Sequence, residues 1–158
     1  MKELLEYRQK LLQRFEQAAE EFCVACQAVK RAHDPIEPGG WSVHQVAVHT
    51  RDVDKLAYGL RARRTLTEDN PEFSNFDGEA YMVQHYDAQE ALQLILDGFA
   101  ANVQALLKQL REMAPEGWSR LSSHETQGGG LTLQTWVERG IEHIEEHLAT
   151  VKGAAARS

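Results

Sequence analysis

The pattern that decides the fold lies in residues 131–151, LTLQTWVERGIEHIEEHLATV. Apolar side chains recur here every three or four residues, which is the spacing of one face of an α-helix. Thr132 stands at the N-cap position and Gly153 follows the last apolar residue, so we expect one helix between them. Its apolar face consists of Leu133, Trp136, Val137, Ile141, Ile144, Leu148 and Val151.

Three earlier segments show the same helical period, and prolines separate all four. The predicted helices cover residues 2–32, 42–66 and 77–113, the last with a break near Asp87. Ser42 and Gln45 form a capping-box pattern at the start of the second helix. No run of Val, Ile and Thr alternates with polar residues, so no sheet is expected.

Amphipathic helices of this kind bury their apolar faces only against one another. The sequence therefore predicts an all-α fold, a four-helix bundle with long loops between helices 2 and 3 and between helices 3 and 4. We expect residues 1–153 to form this single domain and residues 154–158 to form a short flexible tail.

Length and charge exclude several classes of protein. The chain has 158 residues, enough for one domain, and carries 17 Lys and Arg against 24 Asp and Glu for a net charge of −7. This charge argues against a nucleic-acid or anionic-membrane partner. Arg61, Arg63 and Arg64 form the one candidate basic patch, and we interpret it as a solvated stretch near a helix end. Residues 1–14 alternate charge with leucine and show no signal-peptide core, so a cytoplasmic location is expected.

Seven histidines stand out in the composition. Helical phase places His49 near the apolar face of helix 2, and it places His143 and His147, four residues apart, at the interior edge of helix 4. Three such nitrogens bind Zn²⁺ or a related ion and leave a coordination position open. The alternative is that these are hydrogen-bonded core histidines without a metal. A ferritin-like di-iron centre is excluded, because no Glu stands three residues before any His.

The remaining polar candidates are weaker. Asp52, one turn after His49, is either a hydrogen-bond acceptor for a metal-bound imidazole, an auxiliary ligand, or a solvated helix residue. Helical phase places three glutamates on the solvent-exposed face of helix 4: Glu142, Glu145 and Glu146. We expect His85 and His124 to be able to line a pocket, and His33 and His44 to lie on the surface.

Two stretches resemble the DinB/YfiT-like superfamily. The first is GWSVHQVAVH, residues 40–49, followed by Asp52, and the second is GGLTLQTW, residues 129–136, leading to His143 and His147. The resemblance implies a four-helix bundle, often dimeric, in which His49, His143 and His147 hold a divalent metal. One departure is that Ile144 follows the first histidine of the last helix, where the family usually has Asp.

Members of that superfamily include proteins assigned as metal-dependent hydrolases, bacillithiol-using S-transferases and mycothiol-dependent maleylpyruvate isomerases. The resemblance therefore implies a metal-dependent hydrolase or thiol S-transferase that uses Zn²⁺, or Ni²⁺ or another divalent ion. Its substrate would be a small molecule, with a low-molecular-weight thiol as the cosubstrate of a transferase. In such an enzyme we expect Asp52, and after it Glu146, to move protons. The alternative function is a non-catalytic, metal-stabilised helical binding or interaction protein.

Overall fold

The computed structural model describes residues 1–157, and most of them are helical. The helices are α1 Lys2–Ala28, α2 Val43–Val53, α3 Gly59–Thr67, α4 Gly78–His85, α5 Leu92–Glu112 and α6 Leu133–Arg157. A π-helical turn, Asp54–Tyr58, joins α2 directly to α3, and a 3₁₀ turn covers Pro115–Ser119. The strands are β1 Glu72–Phe73, β2 Leu121–His124 and β3 Gly128–Thr132.

Four long helical units form the bundle: α1, the continuous α2–α3 unit, α5 and α6. Helix α1 packs on α6 and α5, while α2 packs on α5 and α3 packs on α6. Their apolar faces meet in one core, where the rings of Phe22 and Phe99 pack edge to face at 5.4 Å. The predicted four-helix bundle is confirmed. The predicted break in the third segment is also present, since α4 ends at His85 and α5 begins at Leu92.

A small sheet contradicts the expectation of a purely helical chain. Strand β1 pairs with β2 in parallel, and β2 pairs with β3 in antiparallel fashion. The strands are short and β3 begins with three glycines, so their own propensity gives no signal. Tertiary contacts stabilise them instead: Ser122 Oγ donates to the carbonyl of Leu131 at 2.9 Å and accepts from Trp136 Nε1 at 2.7 Å.

Helix α6 does not end at Gly153, as the sequence had suggested. It continues to Arg157, because the following alanines have the highest helix propensity and an interior glycine costs only about 1 kcal/mol. Of the predicted tail, residues 154–157 therefore extend the helix, and Ser158 lies outside the described residues. Within residues 1–157, no helix combines the length and apolar character needed to cross a membrane.

Candidate metal centre

Helix α2 supplies His49, the first of the three histidines predicted to bind a metal. The capping box predicted at its start is present: Gln45 N donates to Ser42 Oγ at 3.2 Å, and Ser42 N donates to Gln45 Oε1 at 2.8 Å. These bonds fix the first turn of α2 and thus the direction in which His49, less than two turns later, projects. His49 is half-buried, and its ring lies 4.9 Å from the ring of Trp41.

Helix α6 supplies the other two histidines. Thr132 Oγ1 accepts from Thr135 N at 3.2 Å at the start of the helix, and Trp136 is fully buried one turn later. Gly140 lets α6 approach the π-helical turn closely, since a Cβ at this position would lie 3.3 Å from Tyr58 Cβ. The next turns present His143 and His147 on one edge of the helix, as their spacing predicts.

The three histidines converge. His143 Nε2 and His147 Nε2 lie 3.0 Å apart, and the His49 ring centroid lies 5.4 Å from that of His143 and 5.0 Å from that of His147. One ring nitrogen from each residue can be chosen so that all lie within 4.8 Å of one another. This arrangement is the juxtaposition expected from helical phase.

Burial keeps the three imidazoles neutral near pH 7. It lowers the pKa of His143 to about 3, with the neighbouring His147 and His49 rings adding to the effect. Burial, together with His49, lowers the pKa of His147 to about 4. It also lowers the pKa of His49, against the opposing charges of Glu79 and Asp52. Neutral imidazole is the form that binds metals, because its free lone pair is the donor.

The geometry fits a divalent ion. Two nitrogens bound to one tetrahedral Zn²⁺ at about 2.0–2.1 Å lie about 3.3–3.4 Å apart, close to the separation of the two Nε2 atoms. His49 Nδ1 is buried beside the Gly78 backbone and makes no well-formed hydrogen bond within residues 1–157. A set of three neutral nitrogens leaves a fourth position free for water or substrate.

A cavity of about 430 Å³ opens onto this cluster. His49 and His143 form part of its wall, while His147 is not among the lining residues. The α2–α3 unit contributes Tyr58 and Arg61, the segment before α4 contributes Phe76, and the first turn of α4 contributes Gly78 and Glu79. The volume is that of a site for a small molecule.

The two predicted proton carriers, Asp52 and Glu146, lie near the histidine cluster in different environments. Asp52 accepts a hydrogen bond from Arg51 Nε at 2.9 Å, and Arg51 also pairs with Glu90. Glu146 is exposed on α6, and its charge, like that of Asp52, raises the pKa of His49. Sequence reasoning missed Glu79, the carboxylate that acts most strongly on His49 and lines the cavity. It is thirty residues from His49 and no spacing rule connects them.

The position of His44 differs from expectation. His44 is fully buried, whereas the sequence placed it on the surface, because residues 86–90 and His33 cover the back of α2. Its Nδ1 pairs with Tyr86 Oη at 2.7 Å and its Nε2 with the carbonyl of Glu90 at 2.7 Å.

The histidines expected to line a pocket do not line this cavity. His85 is exposed and stacks on Tyr81 at 3.9 Å. His124 is buried on β2 with its ring 6.3 Å from Trp136, and its Nδ1 accepts from Thr126 N at 3.2 Å.

The basic stretch on α3 also differs from expectation at one position. Arg63 and Arg64 are partly exposed, but Arg61 is only 6% exposed and faces the cavity. The π-helical turn explains this, since its extra residue rotates α3 by about 100° relative to a regular helix. Arg61 thereby takes the inward position that regular phase assigned to Leu60.

Comparisons with known proteins agree with this architecture. The sequence model of the DinB superfamily matches residues 3–151. A solved structure, YfiT from Bacillus subtilis, superposes with a TM-score of 0.84 at 21% identity, covering 96% of this chain and 87% of that one. YfiT is described as a probable metal-dependent hydrolase with an unusual four-helix bundle topology. A search among curated proteins gave no match.

Proposed function

Since the chain belongs to the DinB superfamily, we propose that it is a divalent-metal-dependent enzyme, a hydrolase or thiol-dependent S-transferase that acts on a small molecule. One observation carries the proposal: three neutral histidine nitrogens converge within 4.8 Å beside a cavity of about 430 Å³. His49, His143 and His147 would hold the ion. Zinc is the proposed ion because it favours three histidines with one open position, and nickel is the alternative.

The metal, when bound, supplies Lewis-acid chemistry that lowers the pKa of a water or thiol to near neutrality. The residues of this chain then have two tasks. His49, His143 and His147 orient the reacting group toward the cavity. Phe76 and Tyr58, which line the cavity, shield that group from bulk water.

Proton transfer is assigned to the neighbouring carboxylates. We retain Asp52 and Glu146 as proposed proton carriers and add Glu79, because it lines the cavity with His49 and His143. Arg51 Nε donates a hydrogen bond to Asp52 Oδ1 at 2.9 Å and so fixes the position of this carboxylate one turn from His49. Replacing each carboxylate by its amide would rank the three by loss of kcat.

A low-molecular-weight thiol is the proposed cosubstrate of the transferase reaction. The cytoplasm is the proposed location and a homodimer the proposed assembly. The net charge of −7 supports a small-molecule partner over a nucleic acid or an anionic membrane.

The experiment that tests the activity uses zinc-loaded protein, the chelated protein and the His143→Ala variant. Each is assayed for transfer of several thiols to monochlorobimane and for hydrolysis of small esters. We expect one reaction to require zinc and to be lost in His143→Ala, while His85→Ala retains it. Inactivity of the zinc-loaded protein toward all thiols and esters would contradict the enzymatic proposal and favour a metal-stabilised binding protein.

A further inference from the structure

Arg61 is a buried cation without an anionic partner. Its side chain lines the cavity at 6% exposure, and its Nη2 donates to the carbonyl of Ser74 at 3.3 Å. Within residues 1–157, no carboxylate lies within ion-pair distance of this guanidinium. A buried charge is normally paired, because desolvation is too costly otherwise. Among residues 1–157, the Ser74 carbonyl is the one hydrogen-bond acceptor of this guanidinium, so its other N–H donors are available to a ligand.

A second guanidinium reinforces the positive charge at this end of the cavity. The Cζ atoms of Arg61 and Arg139 lie 4.9 Å and 5.3 Å from the Trp136 ring centroid. Arg139 donates to Gln127 Oε1, and Gln127 also lines the cavity. Two like charges held beside one aromatic ring repel each other, and an anion between or beside them would relieve that repulsion.

The two carboxylates that line the cavity, Asp77 and Glu79, form no ion pair with Arg61. Asp77 Oδ1 accepts from Ala80 N at 2.9 Å and so caps α4. Glu79 acts electrostatically on His49. The cavity therefore combines the histidine cluster with a guanidinium that has no acidic partner of its own.

The ring of Tyr58 lies close to both the histidine cluster and the Arg61 guanidinium. Its ring centroid lies 5.5 Å from that of His143 and 5.8 Å from Arg61 Cζ, so one aromatic ring separates the guanidinium from the histidine cluster. A ligand that reaches both needs a chain of only a few atoms between its anionic group and its reacting group.

We propose that Arg61 binds an oxoanion, a carboxylate or phosphate, on a small-molecule substrate whose reacting end lies at His49, His143 and His147. This inference rests on the proposed function, and it assigns the substrate class of that site. Arg61 would hold the anion with its planar fork and thereby orient the reacting end, and the Trp136 ring would keep the guanidinium in place.

Cobalt-loaded protein tests the inference without an activity assay, because a thiolate that binds Co²⁺ gives an absorption band. The probes are 2-mercaptoethanol, 3-mercaptopropionate and 2-mercaptoethylphosphonate, titrated into wild type, Arg61→Gln and Arg61→Lys. Arg64→Gln, on the same helix but paired with Glu68, is the matched control.

We expect the wild-type protein to bind at least one of the two anionic thiols at least about tenfold more tightly than it binds 2-mercaptoethanol. This higher affinity for the anionic thiol should persist in Arg64→Gln and vanish in Arg61→Gln. Whether 3-mercaptopropionate or 2-mercaptoethylphosphonate binds more tightly shows whether Arg61 prefers a carboxylate or a phosphate. If Arg61→Gln does not fold, Arg61→Lys should lose most of the advantage while binding 2-mercaptoethanol normally. Equal affinities in wild type, or an advantage that survives these variants, would overturn this inference alone. Absence of cobalt binding would overturn the proposed function and this inference with it.

Discussion

Gly78, the first residue of α4, controls the position of His49. A Cβ at this position would lie 2.8 Å from His49 Cε1 and 3.0 Å from Val53 Cγ2. Carbon atoms in normal contact are about 3.5–4.0 Å apart, so the Gly78→Ala methyl group overlaps the imidazole by about 0.7 Å or more. Because Val53 Cγ2 also lies 3.0 Å from the added methyl group, that group cannot shift toward Val53, and we expect the His49 ring to leave the position that it holds beside His143 and His147.

The magnitude follows from the chemistry of supporting residues in metal sites. Displacing the partner that orients a ligand typically weakens metal binding by about 10–100-fold, and we expect a loss in this range. Competition with a chromophoric zinc chelator measures it. Gly153→Ala is the matched control, since nothing lies within 4 Å of its added Cβ and it should bind zinc normally.

The fold itself should survive Gly78→Ala, because alanine favours a helix over glycine by up to about 1 kcal/mol. Circular dichroism and urea unfolding of the metal-free protein check this point. A Gly78→Ala protein that is folded and binds zinc as tightly as wild type would refute the role assigned to this contact.

Two further predictions concern buried polar groups outside the histidine cluster. Burial raises the pKa of Asp54 to about 7, so its contribution to stability is fully present below about pH 4 and is lost as the pH rises through 7. Between pH 5 and 8 the free energy of unfolding of the wild type should therefore fall by about 2–3 kcal/mol relative to that of Asp54→Asn. Urea unfolding of the two metal-free proteins measures this difference, and parallel pH profiles would refute the prediction. His44→Leu should destabilise the fold by about 2–4 kcal/mol, because Tyr86 and the carbonyl of Glu90 lose their partner, while zinc affinity stays unchanged. A stability equal to that of wild type would show that these hydrogen bonds contribute nothing.

The sequence predicts the parts of the fold that rest on local patterns. The capping box at Ser42 and the stripe of α6 mark helix positions directly, and the four-residue spacing of His143 and His147 places both on one edge of α6. The burial of His44 is not local in this sense. It depends on residues 86–90, which fold over the back of α2, and a single-helix phase argument contains no information about them.

The π-helical turn explains why the sequence does not predict the buried position of Arg61. Regular phase carried from Val46 through α3 predicts Leu60 at the inward position, but one extra residue per turn moves that position to Arg61. Glu79 escaped for another reason, because only the packing of α4 against α2 brings it near His49. The sheet likewise forms through long-range pairing of strands whose residues have weak strand propensity.

Metal content is the most direct test of the central claim. The protein is purified without a histidine tag, reconstituted with zinc, desalted and measured by inductively coupled plasma mass spectrometry. The geometry predicts about one ion per chain in wild type and in His85→Ala, and none in His143→Ala. A wild-type protein that retains no divalent ion, or a His143→Ala protein that retains as much as wild type, would contradict the assignment of His49, His143 and His147 as a metal centre.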